Sequence, residues 1–199
     1  MRIVALCGSL RRGSCNMGLL RHCQTVLASK GVTLDIVSSE TMGSLPLLNT
    51  DHEGDEKKMV EVKKYWKQLD GADAYLFATC EYNASISAAL KNGIDWGTRA
   101  TQGNLFNEKP AAMIGAGGYA GTTRAQTALR DIFFEVNMKN MNGAFGSGLQ
   151  ARVQIFTPQP GEGAPFDEET GDLVSPFWKA ELEKMMGGLV AWTNRLKVE

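Results

Sequence analysis

Short apolar runs alternate with longer amphipathic segments along the chain. The apolar run 3–7 predicts a buried strand, and the apolar positions from Met17 to Leu27 then recur at helical spacing. Further strands are predicted over 32–38, 72–79, 110–116 and 152–157. Further helices are predicted over 55–70, from Ile86 to near Gly97, and along the stripe formed by Ala125, Leu129, Ile132 and Val136. A last amphipathic helix begins at Ser175-Pro176, with serine as its cap and proline in its first turn.

This alternation of strand and helix predicts an α/β fold. We expect a flavodoxin-like, doubly wound sheet of five parallel strands in the order 2-1-3-4-5, with helices on both faces, formed by residues 1–199 as one domain. The polar stretch 40–53 is predicted to form turns, and 158–171 is predicted to form a surface loop. The stretch 139–150 fits a strand, a loop or both.

Three loops are expected to meet at one edge of this sheet. Ligands of doubly wound folds bind beyond the carboxyl ends of the strands, where the strand order reverses. The loops that reach this edge are 8–15, 80–85 and 115–121. All three carry unusual residues, so their convergence is stronger support for a ligand site than any one loop.

The loop after the first strand has the composition of an anion site. A strand, a tight loop and a helix start direct backbone N–H groups at one point, and Ser9, Ser14 and Asn16 add side-chain donors. Arg11 and Arg12 add positive charge suited to phosphate oxygens. The residue pattern of this loop does not match the ATP/GTP loop, the dinucleotide loop G-x-G-x-x-G or the phosphatase pattern Cys-x5-Arg, so these three kinds of site are excluded. A phosphate-binding loop is therefore predicted, with an ordinary basic turn as the alternative.

Composition narrows the class of partner. The 199 residues are 43% hydrophobic and 22% charged, and the net charge is −1, so neither nucleic acid nor an anionic membrane is expected as a partner. The four cysteines form no C-x-x-C pair, and no zinc-ligand spacing is found. Because no apolar run reaches membrane-spanning length and no secretory signal is recognised, we expect a reduced, cytoplasmic protein without a metal.

Three motifs carry a resemblance to a known family. The segment Gly8-Ser-Leu-Arg-Arg-Gly-Ser-Cys-Asn16 resembles the G-S-L-R-x-x-S-x-N loop of the NAD(P)H-dependent FMN reductases, which include quinone, azo and chromate reductases. The segment from Glu81 to Trp96 is similar to that family's P-E-Y-N-x-S-x-x-x-x-L-K-N-x-I-D-W signature after its first residue. The segment Gly121-Thr-Thr-Arg-Ala-Gln-Thr-Ala-Leu-Arg130 is similar to its third motif. The Phe166-Asp-Glu segment and the final helix also fit the family pattern, so the resemblance covers nearly the whole chain.

The resemblance implies FMN as cofactor, NADPH or NADH as electron donor, and a ping-pong reaction in which hydride passes through flavin N5 to a small acceptor such as a quinone. No protein acid or base is expected to be indispensable. The residues that it implies for the phosphate are Ser9, Arg11, Ser14, Cys15 and Asn16. Those that it implies for the ring or ribityl chain, largely through backbone groups, are Glu81, Tyr82, Asn83 and Ser85, with Gly117, Gly118 and Tyr119 closing the other side. A homodimer or homotetramer is also implied.

Two positions depart from the family pattern. Cys80 stands where the family usually has proline, which would fix φ and remove a donor. Ala84 stands where glycine is common, so a backbone position that requires positive φ is either strained or different here. Three alternatives stay open: a flavodoxin-like electron carrier without its own substrate, a flavin-free interaction protein, and an enzyme that releases reduced flavin to a partner. Arg12 is expected to be solvated or to meet the 2′-phosphate of NADPH.

Overall fold

The computed structural model describes residues 1–118, 120–141, 152–154 and 161–197, with the backbone alone for 152–154. Within these residues the strands are β1 (Arg2–Cys7), β2 (Thr33–Ile36), β3 (Ala74–Ala78), β4 (Pro110–Gly117), β5 (Lys139–Asn140) and β6 (Arg152–Gln154). The α-helices are α1 (Cys15–Ala28), α2 (Ser39–Ser44), α3 (Val60–Leu69), α4 (Ala88–Gly97), α5 (Thr123–Glu135) and α6 (Pro176–Leu196). None of these helices is long and apolar enough to cross a membrane.

The predicted sheet is confirmed. Its strands run in the order β2-β1-β3-β4-β5, and every pairing is parallel. Two short strands, rather than one long one, pair with β4: β5 pairs with its start at Pro110, and β6 pairs with its end at Gly115–Gly117. Of the predicted strand 152–157, residues 152–154 form β6, and positions 155–157 lie outside the described residues. Of the open stretch 139–150, the first two residues form β5, and 142–150 lie outside the described residues.

Helices cover both faces of the sheet because its central strands are apolar on both sides. Ile3, Ala5 and Cys7 of β1 join one buried cluster with residues of α1 and α6. Val4 and Leu6, from the same strand, join a second cluster with residues of α3, α4 and α5. Such two-sided burial is typical of the parallel sheets of α/β proteins. It fixes β1, β3 and β4 rigidly, so the loops at their carboxyl ends start from defined positions.

Local hydrogen bonds explain two differences from the predicted helices. The helix α2 lies in the stretch that we expected to form turns, because the Ser38 hydroxyl accepts from Thr41 N at 3.1 Å and caps a short helix. The helix predicted over 55–70 begins only at Val60. The Asp55 carboxylate accepts from the backbone N–H groups of Lys57 and Lys58, which favours a turn before the helix.

Candidate functional site

The carboxyl ends of β1, β3 and β4 open into one cavity of about 720 Å³. We call the connections that surround it the β1–α1 loop (8–14), the β3–α4 loop (79–87) and the β4–α5 loop (118–122), and the segment 161–173 closes a fourth side. The residues that line the cavity are Ser9, Arg11, Gly13, Ser14, Cys15, Asn16, Cys80, Glu81, Tyr82, Ala116, Gly117, Gly118, Ala164, Phe166, Asp167 and Glu168. The predicted convergence of three loops is thus present.

The β1–α1 loop leads into a capped helix start. Ser14 is the N-cap of α1, and its hydroxyl oxygen accepts from Met17 N at 3.2 Å. Ser9 and Ser14 are buried, while Arg11 and Arg12 are exposed. Arg11 lines the cavity and Arg12 does not. A helix N-terminus, buried hydroxyls and one guanidinium therefore face the same space, which suits an anion.

Asn16 ties this helix start to the sheet. Its Nδ2 donates to Ala116 O at 2.9 Å, and its Oδ1 accepts from Ala116 N at 2.8 Å. These two bonds satisfy the backbone of a residue at the carboxyl end of β4, where regular pairing ends on one side. The Asn16 side chain thus positions two cavity walls, a role that its polar side chain alone did not indicate.

The β3–α4 loop is a tight turn that raises Tyr82 to the cavity mouth. Backbone bonds of 3.0 Å join Tyr82 and Ser85 in both directions. The two residues between them have positive φ, 49° at Asn83 and 65° at Ala84. Of the two alternatives stated for position 84, strained or different, the structure shows the strained one, because alanine adopts a positive φ at a steric cost that glycine would avoid. Tyr82 is 56% exposed, so the turn presents its ring to solvent and to the cavity.

Cys80 links the β3–α4 loop to the β1–α1 loop. Its thiol donates to Gly8 O at 3.4 Å, and the Ser87 hydroxyl donates to the same oxygen at 2.6 Å. A proline at position 80 would have no such side-chain donor. Burial raises the pKa of the Cys80 thiol, so it is protonated at neutral pH. The nearby Cys80 sulfur and burial both raise the pKa of Tyr82.

Glu81 binds the start of α5 through its carboxylate. Its Oε2 accepts from Arg124 N at 2.8 Å and from Ala125 N at 3.1 Å. The side chain is 11% exposed, and the Arg124 guanidinium lies 3.9 Å away. This side chain is therefore engaged by a helix N-terminus, and only its backbone is left to meet a ligand in the way that the sequence predicted.

The end of β4, just before the β4–α5 loop, has no room for a side chain. A Cβ atom on Gly117 would lie 2.0 Å from Gly121 O, so only glycine fits there. Gly118 accepts from Gly121 N at 2.9 Å and closes the loop. Bare backbone at Gly117 and Gly118 gives this wall a flat surface. Tyr119, which the sequence also predicted for this wall, lies outside the described residues.

The segment 161–173 was missed as a cavity wall. It packs so closely on α1 that a Cβ atom on Gly18 would lie 1.9 Å from Gly171 O. Arg21 fastens it by donating to Asp172 Oδ1 at 2.6 Å and to Thr170 O at 3.0 Å. Hydrogen bonds from Thr170 lower the pKa of the Asp167 carboxyl, which closes a turn within the segment. The resemblance at Phe166-Asp-Glu was the one signal that could have found it.

Most of the predicted residues meet in this cavity. Those that line it are Ser9, Arg11, Ser14, Cys15, Asn16, Glu81, Tyr82, Gly117 and Gly118. Asn83 and Ser85 do not line it, and they form the exposed turn beside Tyr82. The residues that sequence reasoning did not assign are Gly13, Cys80, Ala116, Ala164, Phe166, Asp167 and Glu168.

The residues present fit FMN. The N-terminus of α1 and Arg11 can meet a dianionic phosphate. The Tyr82 ring and the side-chain-free backbone of Gly117 and Gly118 can meet a flat, largely apolar ring system. The volume lies in the usual range for a cofactor site. Among the described residues, no group of three His, Cys, Asp or Glu side chains could hold a metal ion.

Comparison with known proteins decides the family. Residues 1–151 match the NADPH-dependent FMN reductases. The chain belongs to this family. An NADPH:quinone oxidoreductase of Arabidopsis thaliana is 35% identical over 199 residues, covering 99% of this chain and 94% of that protein. An NAD(P)H-dependent FMN reductase of Pseudomonas aeruginosa is 32% identical over 200 residues, covering 99% and 97%.

A solved structure shares the whole fold. FerB, a flavoenzyme NAD(P)H:(acceptor) oxidoreductase from Paracoccus denitrificans, has a TM-score of 0.78 and 27% identity, and the match covers 98% of this chain and 97% of that one. The resemblance seen in the three motifs is therefore confirmed for the family and for the flavodoxin-like sheet. As a member of the FMN reductase family, the chain has FMN and NAD(P)H as its cofactors.

Proposed function

We propose that this FMN reductase uses NAD(P)H to reduce quinones or related acceptors, such as flavins, azo compounds and chromate, in a ping-pong reaction. One observation carries the proposal: the capped start of α1 with Arg11, and Tyr82 with the backbone of Gly117 and Gly118, line a single cavity of about 720 Å³. The ping-pong order follows because the nicotinamide and the acceptor must both approach the open mouth where Tyr82 is exposed. When bound, the flavin supplies the hydride chemistry, and the protein supplies position and electrostatics.

The phosphate end is assigned to the β1–α1 loop. The Ser9 and Ser14 hydroxyls and the Arg11 guanidinium are the side chains that bind phosphate oxygens. Cys15 and Asn16 contribute backbone N–H groups from the first turn of α1, since the Asn16 amide is already bonded to Ala116.

The ring end is assigned to the β3–α4 and β4–α5 loops. Glu81 and Tyr82 bind the ring or ribityl chain through their backbones, and the Tyr82 ring lies at the mouth. Asn83 and Ser85 hold the turn that sets the height of Tyr82. Gly117 and Gly118 form the neighbouring wall. Tyr119 is assigned to the ring end from the sequence alone. No side chain is assigned an acid or base role.

The assembly and location are also proposed. Exposed Leu10 and Tyr82 flank the cavity, and such apolar groups beside a site favour a homodimer or homotetramer. All four cysteines are free thiols, which favours the reducing cytoplasm. Residues 1–199 are taken as one FMN-binding domain with small molecules as its partners.

The test is the visible spectrum of the purified protein, followed anaerobically. We expect a flavin band that bleaches on NADPH addition and returns when a quinone is added. The control is free FMN with the same NADPH and quinone but without protein, and its band should hardly change. A band that NADPH cannot bleach would indicate an electron carrier without its own substrate. A colourless protein that takes up no added FMN would contradict the proposal.

A further inference from the structure

The helix α5 begins without a cap of its own. Its N-cap residue, Thr122, has φ −128° and ψ 37° and makes no side-chain capping bond. The first backbone N–H groups of a helix have no partner within the helix and must find one elsewhere. In this chain the Glu81 carboxylate, 43 residues earlier in sequence, accepts from Arg124 N at 2.8 Å and from Ala125 N at 3.1 Å.

The charge on Glu81 suits this place. A carboxylate at a helix N-terminus interacts favourably with the helix dipole, and α5 has 13 residues. The Arg124 guanidinium, 3.9 Å away, adds a second attraction. The side chain is 11% exposed, so water screens these interactions only partly.

The two segments that Glu81 joins are two walls of the cavity, and they follow the neighbouring strands β3 and β4. On one side, Glu81 is followed by Tyr82, and both line the cavity. On the other side, Gly117 and Gly118 line it, and the compact β4–α5 loop ends at the first turn of α5. A bond from Glu81 to this turn therefore fixes the separation between the two walls.

We propose that Glu81 is a positioning residue that sets the width of the ring end of the cavity through its bonds to α5. This role rests on the proposed binding of FMN. Without the carboxylate, the β3–α4 loop and the α5 start lose their shared anchor, and the walls no longer hold a flat ring at one spacing. The phosphate end, built from α1 and the β1–α1 loop, does not depend on this anchor.

The experiment compares FMN with riboflavin, which has the ring but no phosphate. Apoprotein of the wild type, Glu81→Ala and Glu81→Gln is titrated with each flavin, and binding is followed by quenching of flavin fluorescence. We expect Glu81→Ala to weaken both flavins by the same factor, about tenfold. Glu81→Gln keeps an acceptor oxygen for the two N–H groups but loses the charge, so a smaller loss of about threefold in both affinities is expected. The control Ser38→Ala removes the cap of α2 and should leave both affinities unchanged.

The outcomes separate this role from the proposed function. If Glu81→Ala lowers the melting temperature as Ser38→Ala does but leaves both flavin affinities unchanged, Glu81 is a helix cap only and the inference is wrong. A loss confined to FMN would also contradict it, because that would place Glu81 at the phosphate end. If Glu81→Ala does not fold, a Glu81→Gln variant that loses as much riboflavin affinity as FMN affinity supports it, and unchanged affinities contradict it. Wild-type protein that binds neither flavin would contradict the proposed function itself.

Discussion

The β1–α1 loop and the β3–α4 loop flank the same cavity, yet they are held in different ways. The β1–α1 loop is fixed by buried polar groups, since Ser14 caps α1 and the neighbouring Asn16 binds both backbone groups of Ala116. The β3–α4 loop is exposed at its tip and contains two consecutive residues with positive φ, Asn83 and Ala84. The β1–α1 loop is therefore made rigid by buried hydrogen bonds, whereas the β3–α4 loop is a strained turn that is anchored only at its ends.

This difference matches the tasks proposed for the two ends. A phosphate is the same in every turnover, so its site gains from buried, preorganised donors. The ring end must also admit a nicotinamide and an acceptor, so it stays open. It is held by hydrogen bonds of Glu81 and Cys80 to neighbouring segments.

Removing the Asn16 amide should be the most damaging change. Asn16→Ala leaves the buried N–H and C=O of Ala116 without these partners, and we expect the free energy of unfolding to fall by about 3 kcal/mol. Urea unfolding of the apoprotein measures it. As a control, Asn49→Ala removes an exposed asparagine that caps the short helix Thr50–His52, and about 1 kcal/mol is expected. Equal losses of unfolding free energy in the two variants would contradict the conclusion that buried hydrogen bonds make the β1–α1 loop rigid.

At alkaline pH, Cys7 and Cys80 should contribute differently to the loss of stability. Burial raises the pKa of the Cys7 thiol from 9.0 to about 11. The unfolded chain therefore releases this proton first, and stability falls as pH rises from about 9 to about 11. Between pH 8 and about pH 10.5, the wild type should lose about 2 kcal/mol more than Cys7→Ala in urea unfolding under reducing conditions.

The matched variant for this pH experiment is Cys80→Ala. Burial also raises the pKa of the Cys80 thiol, but this residue lines the cavity. We therefore expect Cys80→Ala to remove less of the alkaline loss of stability than Cys7→Ala does. If the free energy of unfolding of Cys7→Ala depends on pH as that of the wild type does, the Cys7 thiol below the β1–α1 loop is less buried than the structure indicates.

The smallest effect expected is a gain in stability at Ala84. Ala84→Gly relieves an alanine held at φ 65°, and the free energy of unfolding should rise by about 1 kcal/mol. The control is Ala88→Gly, at the exposed first residue of α4, which should lower it. Thermal unfolding of the apoproteins compares them. A loss of stability in Ala84→Gly would argue against a strained turn.

Much of the fold could be predicted because the central strands are apolar on both faces. The runs that became β1, β3 and β4 are typical of buried strands, and their alternation with helices indicated a doubly wound parallel sheet. The order 2-1-3-4-5 was taken from the flavodoxin-like type of such sheets. The helix α2 was missed because one capping hydroxyl, at Ser38, favours it over a turn. Such a local bond leaves no periodic pattern.

The sequence predicted which loops form the site, but it did not predict the long-range hydrogen bonds that hold them. The motif positions of Ser9, Arg11 and Tyr82 predict that these residues share one site, and all three line the cavity. The bonds from Asn16 to Ala116 and from Glu81 to α5 join residues far apart in sequence, and no spacing rule indicates them. The segment 161–173 reaches the cavity through the Arg21–Asp172 pair, separated by 151 positions. These contacts depend on the assembled fold.

The most direct test of the account is whether the β1–α1 loop binds a phosphate. Apoprotein of the wild type, Arg11→Gln and Arg12→Gln is titrated with FMN and with riboflavin. We expect the wild type to prefer FMN, and Arg11→Gln to lose about tenfold in FMN affinity while its riboflavin affinity stays the same. Arg12→Gln, whose side chain does not line the cavity, should behave like the wild type. Equal losses of both flavins in Arg11→Gln, or no preference for FMN in the wild type, would contradict the assignment of the two ends.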